Sequence, residues 1–182
     1  NLMKIAFLTD THLDESAPRR HGVNTRKNLQ QVAAAIADEK PDLVVFGGDM
    51  GRTASHSYFR QQLTDFPLKI IAGNHDDPQA LVRNFDTELF YALDHPEAKL
   101  IFLDSSDTLP MLQLEFLQTS LAPGPNLVFI HHPILPVPSV VDHKYPLDNR
   151  NAVQDILVRH KYPVFVFCGH NHCIHESSYQ NI

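Results

Sequence analysis

At 182 residues, with 43% hydrophobic and 20% charged side chains, the chain is long enough to bury a sizeable core and has the composition of a globular protein. A formal net charge of -6 argues against a basic groove for a nucleic-acid polymer. No apolar stretch approaches the ~18 residues of a membrane span, and no signal-peptide pattern is legible. The only cysteines, Cys168 and Cys173, exclude a disulfide framework and make a reducing cytoplasm the default compartment.

Short apolar runs of strand character alternate with helical patterns along the chain. The first strand, KIAFLT, leads through a loop to Asn24, a helix cap. The helix it starts runs from Thr25 to Lys40, with Leu29, Val32, Ala33 and Ile36 on one face, and stops at Pro41. A second strand, DLVVFG, carries the chain to Asp49. Ser55-His56-Ser57 opens a short helix through Leu63, a third strand spans Leu68 to Ala72, and Pro78 suits the first turn of a helix over Gln79–Asn84. Leu89–Leu93 and Lys99–Leu103 form two strands around a turn at His95-Pro96. Leu114, Leu117 and Leu121 mark the next helix, which Pro123-Gly124-Pro125 separates from the strand LVFI. Four prolines between Pro133 and Pro146 favour an irregular loop. A helix over Ala152–His160 then precedes the last strand, VFVFCG. No repeat or linker interrupts this order, so residues 1–182 read as one α/β domain with a mixed sheet system.

Five of these strands end in residues that bind metals: Asp10-Thr-His12, Gly48-Asp49, Asn74-His75-Asp76, His131-His132 and His170-Asn171-His172. Strand ends in an open α/β sheet converge on one crevice, where ligands bind. Asp10 and His12, two apart, would project to the same side of an extended backbone and chelate one ion. Gly47-Gly48 permits a tight turn before Asp49. Asn74 offers a neutral oxygen; His75 can donate a proton, with Asp76 as the group that could orient it. Each cluster alone has a plainer explanation as a polar turn or a satisfied strand-end histidine. Those explanations require five separate accidents, whereas one shared site explains all five clusters.

Asp10, His12, Asp49, Asn74, His131, His170 and His172 are too many ligands for one first-row ion and suit two ions bridged by a carboxylate. The donors are oxygen and nitrogen without thiolate. That favours two divalent or mixed-valence ions, Mn and Fe first and Zn or Co as alternatives, over a cysteine-rich structural zinc. Two aspartates against two divalent cations leave a formal charge of plus two, which would attract a phosphate to an acidic chain.

The pattern D-x-H, G-D, G-N-H-D, H and G-H-x-H, in this order from about Lys4 to His172, resembles the calcineurin-like metallophosphoesterases. GNHDDPQALVRNF, the LDS around Asp104 and the Gln-Leu-x-Phe-Leu helix are most similar to the class III cyclic-nucleotide phosphodiesterases. The resemblance implies a four-layer α-β-β-α sandwich. It assigns Asp10, His12 and His172 to a first ion, Asn74, His131 and His170 to a second, and Asp49 to both. His75 would be the catalytic histidine, assisted by Asp76, with Asn74 and His75 also contacting substrate. The implied reaction is hydrolysis of a 3',5'-cyclic nucleotide or similar small diester by a hydroxide shared between the ions. The chain stops ten residues after His172, which by this resemblance shortens the second sheet.

A phosphomonoesterase, a different phosphodiesterase and a non-catalytic protein-binding scaffold are the competing readings; a scaffold would have lost ligands. The expected partner is a small phosphoester, with no nucleic-acid polymer and no membrane, and a homo-oligomer is left open.

Overall fold

The computed structural model describes residues 2–182. In chain order the elements are β1 (Ile5–Leu8), α1 (Ser16–Arg20), α2 (Thr25–Glu39), β2 (Leu43–Phe46), α3 (His56–Gln62), β3 (Leu68–Ile70) and α4 (Pro78–Phe85). β4 (Tyr91–His95), β5 (Ala98–Phe102), α5 (Met111–Ser120), β6 (Asn126–Phe129), α6 (Val140–Lys144), α7 (Arg150–Val158) and β7 (Val164–Phe167) follow. β1-β2-β3 form one sheet, parallel throughout. β4-β5-β6-β7 form the other, parallel except for the β4–β5 hairpin.

Alternation along the strands sorts these elements into four layers. In β2, Val44 and Phe46 join Leu29, Ala33 and Ile36 of α2, Phe59 of α3 and Leu81 of α4 in one core. Their neighbours Leu43 and Val45 point the other way, into a core shared with Leu100, Phe102 and Phe129 of the second sheet. Ile101 and Val128 face α5 and α7 through Leu117, Val153 and Leu157. The order is therefore helices, sheet, sheet, helices. Strands covered on both faces have no polar side, which is why LVVF is apolar at every position.

The inter-sheet layer contains an aromatic ladder. Tyr91, Phe102, Phe129 and Phe167 are direct cross-strand partners. Their ring centroids are 4.5, 5.0 and 5.3 Å apart, with interplanar angles of 20° or less. Phe7 from the first sheet meets Phe129 at 5.9 Å and Phe167 at 6.0 Å. In-register stacking of this kind pins strand register as well as adding area.

Local signals set the helix boundaries. The Asn24 side chain accepts from Lys27 N at 3.0 Å, and Lys40 ends α2 in the left-handed conformation. Asp77 accepts from Ala80 N, with Pro78 in the first turn of α4. Some expectations shift: β2 ends at Phe46 and β3 at Ile70, β4 lies two residues later than the sequence suggests, and α7 two residues earlier. Residues 133–146 are not wholly irregular, because α6 forms between the prolines. Ser139 caps it by accepting from Asp142 N at 2.9 Å, and no proline falls inside it. The short α1 also forms in what reads as a loop.

Replacing Phe129 by Ala should remove the centre of the ladder and lower the unfolding free energy by about 3–5 kcal/mol. Urea denaturation measures this, and a loss below about 1 kcal/mol would show that the ladder collapses around the gap.

Candidate metal centre

The five ligand-bearing segments leave the C-terminal ends of β1, β2, β3, β6 and β7 and meet where the edges of the two sheets adjoin. The backbone there is not extended. Asp10, His12, Asp49, His170 and His172 all have positive φ, between 42° and 69°. The expectation that extended backbone aligns Asp10 with His12 is thus corrected: consecutive left-handed turns bring them together. Such conformations cost on the order of 1 kcal/mol or more each for non-glycine residues and persist only where the surroundings over-determine them.

Hydrogen bonds supply that determination. Asp10 N, His12 N and Leu13 N donate to Gly48 O, Asp49 O and Met50 O at 2.8–3.0 Å, tying the first two loops together. The Asp76 carboxylate accepts from Asp49 N at 2.7 Å and from Met50 N and Gly73 N at 2.9 Å. Glycines then allow close approach: a Cβ on Gly73 would overlap Asp49 Oδ1, and one on Gly169 would overlap Asp10 Oδ2. Asp76 is a bracket beneath the site and does not orient His75, as the sequence suggests it would; its carboxylate is taken up by backbone amides.

Three donor triplets result, His12 with Glu15 and His75 being one, and the other two are built from the expected ligands. Asp10, His12 and His172 bring ligand atoms within 4.8 Å of one another, and Asp49, His131 and His170 do the same. His172 Nε2 is 3.2 Å from both Asp10 Oδ1 and His12 Nε2. Asp49 Oδ2 lies between these two triplets, 3.7 Å from His12 Nε2 and 3.3 Å from His131 Nε2. Its other oxygen accepts from His75 N. Asn74 and His75 line the cavity in front of these groups. His132 does not join them. It is buried, its Nδ1 3.1 Å from Ser105 Oγ, and burial beside His170 and His131 pushes its pKa down to about 3.

The tautomers follow from the acceptors. His131 Nδ1 donates to Gly47 O at 2.7 Å and His170 Nε2 to Tyr145 O at 2.9 Å, since a carbonyl can only accept. This leaves His131 Nε2 with its lone pair toward Asp49. It is completely buried and has no hydrogen-bond partner. An orphaned imidazole nitrogen facing a carboxylate oxygen calls for a cation between them, either a proton or a metal ion. The donor set thus fits a divalent metal centre of nitrogen and oxygen ligands.

Protons compete for the same atoms. Burial opposes charge on His12, but its contacts with Asp10 and Glu15 outweigh this and push its pKa up to about 9. Burial would raise the Asp10 carboxyl, yet the imidazoles of His12, His172 and His131 hold it far below the ordinary carboxylate range.

Glu15 is a site residue that sequence reasoning misses. Its Oε1 is 3.1 Å from His12 Nδ1 and its Oε2 is 3.4 Å from His75 Nδ1. One carboxylate therefore spans a candidate ligand and the candidate acid. Glu15 precedes a five-residue helix and belongs to no strand-end cluster, so no spacing rule flags it. The two cysteines stay outside the site; burial raises the Cys168 thiol to about 11.

A four-layer fold with clustered imidazoles and carboxylates at its strand ends defines a protein built to hold divalent metal ions. The sequence profile of the calcineurin-like phosphoesterases matches residues 3–174, and the chain belongs to that family. It is accordingly a metal-dependent phosphoester hydrolase. A glycerophosphodiester phosphodiesterase of Enterobacter lignolyticus is 27% identical over 98% of this chain and 74% of its own length. A probable cyclic nucleotide phosphodiesterase of Vesicomyosocius okutanii is 30% identical over 91% of this chain and 76% of its own. The crystal structure of a dimetal phosphatase from Danio rerio has the same fold, with a TM-score of 0.69, 14% identity, and coverage of 93% of this chain and 82% of that one. Among the described residues no helix is long and apolar enough to cross a membrane.

Two outcomes follow from this geometry. The folded pKa of His12, about 9, exceeds its ordinary 6.5. Its proton therefore stabilises the metal-free fold fully below pH 6.5, and that contribution fades as pH rises through 9. Affinity for Mn²⁺ should move oppositely, strengthening over the same interval with proton release measurable by calorimetry; a flat pH profile would contradict it. Glu15→Ala should lower metal affinity or turnover about 10–100-fold, whereas unchanged values in both assays would show that the carboxylate positions neither ring.

Proposed function

We propose that the chain hydrolyses a phosphodiester at a two-metal centre. Asp10, His12 and His172 would hold one ion, Asn74, His131 and His170 the other, with Asp49 shared. The observation that carries this reading is the place of Asp49 Oδ2, between His12 Nε2 and His131 Nε2. Ligands come from Asp10 near one end of the chain and His172 near the other. We therefore treat residues 1–182 as one catalytic domain.

When bound, two divalent ions supply Lewis acidity toward phosphate oxygens and a water-derived nucleophile at neutral pH. The chain's residues do the rest. Asp10 and Asp49 contribute two negative charges, which leaves the loaded site formally positive and able to attract an anionic ester. His131 and His170 are held in one tautomer by Gly47 O and Tyr145 O, so each presents a fixed lone pair and no reorganisation is needed on binding. Asn74, exposed at the cavity rim, offers an amide to a phosphate oxygen.

His75 stands apart from the ligands. Its side chain is half exposed, and its ring meets that of His12 edge-on at 5.0 Å. Glu15 Oε2 beside Nδ1 leaves Nε2 to give a proton to the departing alkoxide. That step matters most for a diester, whose leaving group is a poor one. A small diester accords with relatives named for glycerophosphodiester and cyclic-nucleotide hydrolysis, and Mn and Fe suit the donor set first, with Zn and Co as alternatives.

His75→Ala should cut kcat for a diester with an alkyl leaving group, such as glycerophosphoethanolamine, by ~10²–10⁴-fold while metal content stays that of the parent. Full activity in this variant would sink the acid role. Chelation should abolish turnover in the parent protein and Mn²⁺ should restore it; turnover that survives chelation would exclude a metal-dependent step.

A further inference from the structure

The cavity before the metal centre is far larger than a phosphate needs. Its volume is about 810 Å³, in the range of pockets that enclose a whole organic ligand. Candidate ligands together with Asn74 and His75 form its polar end, and His21, Thr25 and Asn28 add polar groups nearer the helices. Much of the remaining lining is apolar: Ala17 and Pro18 of α1, Val23 before α2, Leu29 and Val32 of α2, and Val141 of α6.

Two features make this wall more than incidental surface. Val32 lies on the face of α2 that periodicity assigns to the core, yet it is 41% exposed, and Val23 is 43% exposed. Apolar side chains at the mouth of the polar site are thus only partly covered by the described residues. In addition, no lysine or arginine lines the cavity among the described residues. A substrate with a second phosphate or a carboxylate would find no lysine or arginine there, and His21, Thr25 and Asn28 are the polar side chains that interrupt the apolar wall.

We propose that this wall is the substrate's second binding site, and that the preferred substrate is a singly charged phosphodiester carrying an extended apolar alcohol, alkyl or aryl. The inference rests on the phosphodiesterase reading above and names the substrate class of that same site. The phosphate sits at the metals, and the apolar group lies along α1 and the first half of α2. Each methylene that leaves water for this wall strengthens binding about fourfold.

The test is a homologous series of alkyl p-nitrophenyl phosphates, methyl through hexyl, with the Mn²⁺-loaded protein. kcat/KM should climb about three- to fourfold per added methylene until the wall is covered. Val23→Asp and Val32→Asp, both at exposed positions and checked for folding by circular dichroism, should each flatten that climb. A flat series in the parent, or a glycerol-bearing diester preferred to the butyl ester, would overturn the inference while leaving the phosphodiesterase reading intact. A climb that persists in both variants would equally overturn it, because the apolar group would then bind elsewhere. If no diester in the series is hydrolysed with Mn²⁺, the phosphodiesterase reading fails and the inference fails with it.

Discussion

The hydrogen bond from His131 Nδ1 to Gly47 O, 2.7 Å long and fully buried, joins the end of β6 in one sheet to the end of β2 in the other. Everything chemical in this chain depends on the two sheets meeting in that register. A second bond across the same boundary runs from His170 N to the Asp10 carboxylate. Together they place donors from both sheets around one point. They also turn His131 so that its remaining nitrogen faces Asp49. A slip of one residue between the sheets would strand buried polar groups without partners, which costs several kcal/mol. Packing of the aromatic ladder and satisfaction of the polar site therefore select the same arrangement.

The site is held in a state that local preferences oppose. Five ligand residues occupy left-handed backbone, and carboxylates and imidazoles are crowded to within 4 Å. Asp76 and the backbone bonds between the β1 and β2 loops hold this geometry from below, and Gly73 and Gly169 leave room for it. The raised His12 and depressed Asp10 values express the same crowding: without a metal ion, protons take part of its place. Preorganisation of this kind lets binding and catalysis proceed without rebuilding the loops.

The cavity combines two surfaces of different origin. Strand ends supply the part that handles phosphorus, and α1, α2 and α6 supply the part that meets the rest of the substrate. Ser139, which caps α6, also hydrogen-bonds Asn171 between His170 and His172, so the helix that carries Val141 is tied to the metal loop. Changes in α2 can thus alter substrate selectivity without disturbing the ligands, whereas changes in α6 reach the metal loop through Asn171.

Much of the site was legible without coordinates because strand-end clusters are local: Asp10-Thr-His12, Asn74-His75 and His170-Asn171-His172 each announce themselves within a few residues. Their order specified the family, and that resemblance implied the four layers. The alternation of apolar runs with helical patterns specified an α/β domain with a mixed sheet system. Helices with flanking caps, such as Thr25–Glu39, were readable for the same reason. Three things became visible only in the tertiary structure. Glu15 spans His12 and His75 through a turn that has no sequence signature, Asp76 spends its carboxylate on amides brought from another loop, and Val32 leaves the core for the cavity. The division is physical. Sequence determines what depends on neighbours along the chain, namely periodicity, caps and ligand type. Which buried carboxylate meets which amide, and which apolar side chain is left facing a cavity, depends on contacts between segments more than 20 residues apart, and only the packing of the two sheets decides those.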